Sequence, residues 1–97
     1  MPKGKGDPKR HERQEKRRLR NRSVRSAVKT YITRARQAIV EVGPAAEETQ
    51  AAILRALREL DRAARKKVIH RNNAARRKSR LIRRLRAAEA SAQSALT

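Results

Sequence analysis

Apolar side chains recur at spacings of three and four along three stretches of the chain, and each stretch reads as one buried helical face. Val24, Val28, Ile32, Ala35, Ile39 and Val42 form the first stripe. Ile53, Leu54, Leu57, Leu60 and Ala64 form the second, and Ala75, Ile82, Leu85 and Ala88 the third. The punctuation between them sets the elements. Asp7-Pro8 suits a helix start, since Asp caps free amides and Pro fits the first helical position. No Pro or Gly follows until Gly43, which permits one helix over residues 8–42, roughly 50 Å long. Gly43-Pro44 ends it and opens a second helix over 44–66, with Glu47 and Glu48 where a helix N-terminus favours negative charge. A weakly marked break around 66–70 leads to a third helix over 69–88. The short first connection makes helices one and two antiparallel neighbours.

The predicted architecture is all-α: an antiparallel three-helix bundle with a long, projecting N-terminal helix. The projection follows from what is missing upstream of Val24, where Leu19 is the one sizeable apolar residue amid HERQEKRRLRNR. That half has nothing to pack on a protein core and reads as a charged rod. Residues 1–7 read as a flexible basic tail, 8–88 as one three-helix domain, and the Ala/Ser-rich 89–97 as a frayed tail.

Charge sharpens this picture. The chain has 28 Lys+Arg against 9 Asp+Glu, a formal net charge of +19. Residues 1–42 carry 14 cations and 4 acids, residues 43–60 carry 2 and 3, and residues 61–97 carry 12 and 2. Two basic arms thus flank a near-neutral brace, the distribution of a docking surface for a polyanion. Only Tyr31 is aromatic and much of the apolar share is Ala, so the seam between helices is slender. Marginal stability alone and firmer order on the partner are expected.

Several classes drop out. There is no Cys, which removes disulfides, thiolate metal sites and Cys nucleophiles. No apolar run approaches the roughly 20 residues a membrane span needs, and the N-terminus lacks the apolar segment of a secretory signal. The plain reading is a soluble, cytoplasmic protein without membrane contact. The two histidines are far apart, and no phosphate-cradling Gly loop or metal-ligand spacing occurs, so neither an enzyme nor a cofactor or metal is expected.

The candidate binding residues are the cations of the two arms: Lys9, Arg10, Arg13, Lys16, Arg17, Arg18, Arg20, Arg22, Arg25 and Lys29 in the first helix. Lys66, Arg71, Arg76, Arg77, Lys78, Arg80, Arg83 and Arg84 follow from the second arm. Such residues bind phosphates by Coulomb attraction and counterion release, and Arg adds bidentate geometry. Asn21, Ser26, Thr30, Asn72, Asn73 and Ser79 are embedded among them and can hydrogen-bond phosphate, ribose 2′-OH or base edges. His70 either caps the third helix or donates to an RNA backbone; its basic neighbours favour the second. His11 reads as incidental. Tyr31 beside Ile32 reads as a packing residue, which disfavours single-strand stacking. Charge does not separate RNA from DNA, so a histone-like DNA-compacting protein is the alternative. A membrane-active cationic helix would need a broad apolar face that segment 8–22 lacks, and a coiled-coil adaptor is a third rival.

The run DRAARKKVIHRNNAARRKSRL (61–81) resembles the signature of the bacterial small-subunit ribosomal protein S-twenty family, through Ile69, His70, Asn72, Ala74, Ala75, Arg76, Lys78, Ser79, Arg80 and Leu81. Asn21, Ser23, Arg25, Ser26, Lys29 and Thr30 are similar to its first-helix motif, and the likeness covers about residues 8–88. The resemblance implies a three-helix bundle that acts as a monomer within the ribosome. It implies direct binding to 16S-type ribosomal RNA, with several rRNA helices clamped together during small-subunit assembly. One position departs: Lys67 stands where the family usually carries Gly.

Overall fold

A computed structural model describes residues 8–96. They form α1 (Pro8–Glu41), α2 (Glu47–Arg65) and α3 (Arg71–Leu96), with no strand among the described residues. The expected tail 1–7, the Asp7 cap and Thr97 lie outside them.

Two stacked clusters set the register of the bundle. Val28 of α1 meets Leu60 and Ala63 of α2 and Ala74 of α3, with Val24, Ala64 and Ile69 packed alongside. Further along, Ala35 and Ile39 meet Ile53, Ala56 and Leu81, flanked by Tyr31, Leu57, Ile82, Leu85 and Ala88. Rising numbers on α1 and α3 against falling numbers on α2 make α2 antiparallel to both. The same pairing leaves α1 and α3 staggered. The first half of α1 runs past one end of the bundle, and the last turns of α3 run past the other. The result is a slender body with extents of 78 × 21 × 14 Å.

The core is thinner than the apolar stripes imply, and alanine fills more of it. Ala35, Ala56, Leu60 and Ala63 are wholly buried. Small side chains at these crossings let the helix axes approach closely. Three expected core positions face water instead. Val42 and Leu54 are each 49% exposed, and Ala75 is exposed while its neighbour Ala74 is buried. With two neighbours rather than a surrounding shell, each helix buries only a narrow arc, and residues one step off that arc stay wet.

The connections are held by side chains and by backbone geometry. The second helix starts at Glu47 rather than at Pro44, from an extended Ala46 with no side-chain cap. The buried Thr49 hydroxyl instead ties α2 to the preceding turn, its single hydrogen shared between the Gly43 carbonyl at 2.6 Å and the Ala38 carbonyl at 3.1 Å. Gln50 Nε2 also donates to the Pro44 carbonyl at 2.8 Å. Gly43 takes φ +107°, which a side chain would resist. At the other end of α2 the Val68 amide donates to the Ala63 carbonyl (2.9 Å) and the Lys67 amide to the Ala64 carbonyl (3.0 Å). This is a Schellman closure, with Val68 (7% exposed) folded back over Ala63. Its left-handed position is Lys67, at φ +62°. The third helix continues through the Ala/Ser segment to Leu96, where fraying was expected from 89 onward. Alanine's helix propensity and the lack of any Gly or Pro account for the extension.

Candidate nucleic-acid interface

The projecting half of α1 needs no tertiary partner to be helical, since it contains no breaker and its side chains are long and flexible. Lys9, Arg10, Arg13, Lys16, Arg17, Arg18, Arg20 and Arg22 are all exposed there. Arg10, Arg13 and Arg17 share one face of the rod with Gln14. Arg18 is drawn into an ion pair with Glu15 at 3.1 Å.

Where α1 joins the bundle, α3 comes alongside and a groove of about 310 Å³ opens between them. Its walls are Lys29, Thr33 and Arg36 from α1 and Arg77, Arg80 and Arg84 from α3; Ile32 and Leu81 form an apolar floor. Both walls follow the i, i+3/4, i+7 spacing of one helix face. Five cations therefore line two rims about 10 Å long at 1.5 Å per residue. No carboxylate lines the groove, and none of the five takes part in an ion pair among the described residues. Lys29 also borders a shallower hollow on the outer side of α1 with Ser26, Thr30, Thr33, Arg34 and Gln37.

A second concavity, of about 530 Å³, forms where the α2–α3 connection meets α1. Arg17, Arg20, Asn21 and Val24 line it from α1, and Lys66, Lys67 and Val68 from the connection.

The cations of α2 are arranged differently. Arg55 and Arg62 both reach the Glu59 carboxylate, at 3.4 and 3.8 Å. Arg55 also lies over the Tyr31 ring at 4.9 Å and donates to its hydroxyl at 3.2 Å. Tyr31 is therefore a packing residue that braces α1 against α2. Two of the four arginines on this helix are thus engaged within the protein, sharing one carboxylate.

The expected binding residues sort into groups. Lys29, Arg77, Arg80 and Arg84 converge on the groove, and Arg17, Arg20, Asn21 and Lys66 on the second concavity. Arg71, Asn72, Arg76, Ser79 and Arg83 are exposed along α3, and Asn73 is half-buried. Three expected residues have internal work. Arg25 Nη2 donates to the Val68 carbonyl at 3.2 Å, tying α1 to the connection. Lys78 pairs with Asp61 at 2.8 Å, tying α3 to α2. Thr30 gives its hydroxyl to the Ser26 carbonyl at 3.0 Å. His70 is the cap: its Nδ1 accepts the Asn72 amide at 3.0 Å, and its carbonyl accepts the first helical bond from Ala74. That bond makes Nδ1 the acceptor and leaves Nε2 as the ring's donor. Arg36, Thr33 and Lys67 were missed. The first two lie seven and four residues beyond Lys29, and continuing that spacing would have found them.

A small helical bundle whose open grooves are lined by cations outside any ion pair among the described residues presents a surface suited to a polyanion. Among the described residues no cluster of His, Asp or Glu could hold a metal, and no helix is long and apolar enough to cross a membrane. The chain belongs to the family of Ribosomal protein S20, matched over residues 2–86. It is 48% identical over 87 residues to the small ribosomal subunit protein bS20 of Thermomicrobium roseum, covering 90% of this chain and 86% of that one. The bS20 proteins of Cutibacterium acnes and Pseudomonas fluorescens are each 46% identical, covering 88% and 87% of this chain and 94% and 91% of theirs. It is a ribosomal structural protein and not an enzyme.

Proposed function

We propose that the chain binds 16S-type ribosomal RNA directly and clamps several rRNA helices as the small subunit assembles, acting as a monomer in the cytoplasmic ribosome. The groove between α1 and α3 carries this reading. Two rims of cations around an apolar floor suit a phosphodiester strand, with phosphates held on the rims and sugars laid over the half-buried Ile32. A-form major grooves are too deep and narrow for side-chain readout, so recognition rests on shape, phosphates and 2′-OH groups. The rod of α1 and the exposed face of α3 provide further grips on neighbouring RNA segments. Lys9, Arg10, Arg13, Lys16 and Arg22 act on the first, and Arg71, Arg76 and Arg83 on the second, with Asn72, Asn73 and Ser79 supplying neutral hydrogen bonds. His70 caps α3 and offers Nε2–H to a phosphate.

The test is binding to naked small-subunit rRNA across a salt series. Replacing Arg77, Arg80 and Arg84 together by Ala should lower the salt slope by about two to three and leave the helical signal unchanged. An unchanged slope would remove the groove from the interface. The DNA-compacting alternative is tested by competition: duplex DNA displacing rRNA at equal phosphate concentration and moderate salt would refute the RNA reading.

A further inference from the structure

We infer that Lys67 is a phosphate-binding residue, completing with Arg17, Arg20 and Lys66 a four-cation cleft that grips the RNA backbone where α1 leaves the bundle. The inference rests on the RNA-binding reading above and adds a second site to it.

The starting observation is an outlier. Lys67 is the one residue other than glycine with positive φ among the described residues. A side chain in that conformation costs about 1 kcal/mol relative to the right-handed region. The closure of α2 requires the left-handed geometry, but nothing in that closure requires lysine, because its hydrogen bonds come from backbone amides. Glycine would serve the turn better. Strain that persists at a surface position points to work for the side chain.

The surroundings show which work. Lys67 is exposed and forms no ion pair or side-chain hydrogen bond among the described residues. It lines the concavity of about 530 Å³ whose other charged members, Arg17, Arg20 and Lys66, are also cations, with Asn21 in the same lining and no carboxylate. The two sides of the cleft are held in register. Arg25 bonds the Val68 carbonyl from α1, and Val68 is buried against the bundle. Four like charges around one hollow repel one another in the free protein, and an anion inside offsets that repulsion. Asn21 can donate to a phosphate oxygen that the cations hold. Arg20 precedes Lys29 by nine residues, roughly 13 Å along α1, so the cleft is separate from the α1–α3 groove and binds a different phosphate.

The experiment compares Lys67→Gly, Lys67→Asn and Lys67→Arg with the unaltered protein, measuring thermal melting and binding to naked small-subunit rRNA across a salt series. Lys67→Gly should melt at a higher temperature yet bind rRNA severalfold more weakly, with the salt slope reduced by about one. Lys67→Asn, which tolerates the turn without a charge, should lose the same slope, and Lys67→Arg should retain it. If unaltered protein binds rRNA and Lys67→Gly binds it with equal affinity and slope, the inference is overturned while the broader reading stands. If the unaltered protein shows no preference for rRNA over duplex DNA, both are overturned.

Discussion

Truncating the leucines of α2 one at a time tests the rotation of that helix within the bundle. Leu60 is wholly buried among Val28, Ala63 and Ala74. Changing it to Ala removes about three carbons, or roughly 2.4 kcal/mol of transfer free energy at 0.8 per methylene. The cavity left between short alanine neighbours adds to that, for a total of about 3–4 kcal/mol. Leu57 is only partly buried against the second cluster, and its truncation should cost about half as much. Leu54 is 49% exposed, and Leu54→Ala should cost less than about 1 kcal/mol. At about 4–8 °C per kcal/mol for a domain of this size, Leu60→Ala lowers Tm by about 12–32 °C. Far-ultraviolet circular dichroism melts of the three variants measure the series. Added rRNA at about a hundred times Kd should return about 2.7 kcal/mol to each variant that still binds. Equal shifts for the three, or the largest shift at Leu54, would mean that α2 presents a different face to its neighbours.

Thr49→Val keeps the buried shape but leaves the Gly43 carbonyl without its short hydroxyl donor. It should cost about 1–2 kcal/mol; a melt matching that of the unaltered protein would show that the contact does not stabilise the α1–α2 turn. His70→Ala should lose about 1 kcal/mol of α3 capping while His70→Asn restores it, and hydrogen exchange at the Asn72 amide reads the difference directly. Asp61→Asn breaks a half-exposed ion pair and should cost less than about 1 kcal/mol. The same change frees Lys78 and should tighten rRNA binding; weaker binding would show that Asp61 orients Lys78 for its contact.

Much of the fold was legible because the signals were local. Valine, isoleucine and leucine at helical spacing marked the three helices, and Gly43-Pro44 marked the first turn. The core alanines that the apolar stripes passed over share a cause. Ala56, Ala63 and Ala74 carry too little side chain to stand out in a sequence rich in exposed alanine, yet they occupy the tightest crossings. Thr49 reads as polar, and its burial depends on carbonyls that the turn brings overhead. Among the candidate binding residues, the cations stand out in the sequence by their charge alone. Their division into open groove and internal brace does not. Lys78 and Arg25 became structural only when Asp61 and the Val68 carbonyl arrived from other helices.

The stagger of α1 past α3 separates charge as well as mass. The projecting segment 8–23 holds eight cations and two carboxylates, while segment 87–96 at the opposite tip holds no cation and one carboxylate. The molecule is therefore a strong electric dipole as well as a polycation. In the field of a folded RNA it experiences a torque before it makes any contact. Diffusing molecules should arrive rod-first with the weakly acidic tip trailing, so fewer encounters are spent searching orientations. An association rate that falls steeply with ionic strength is the signature of such aligned capture.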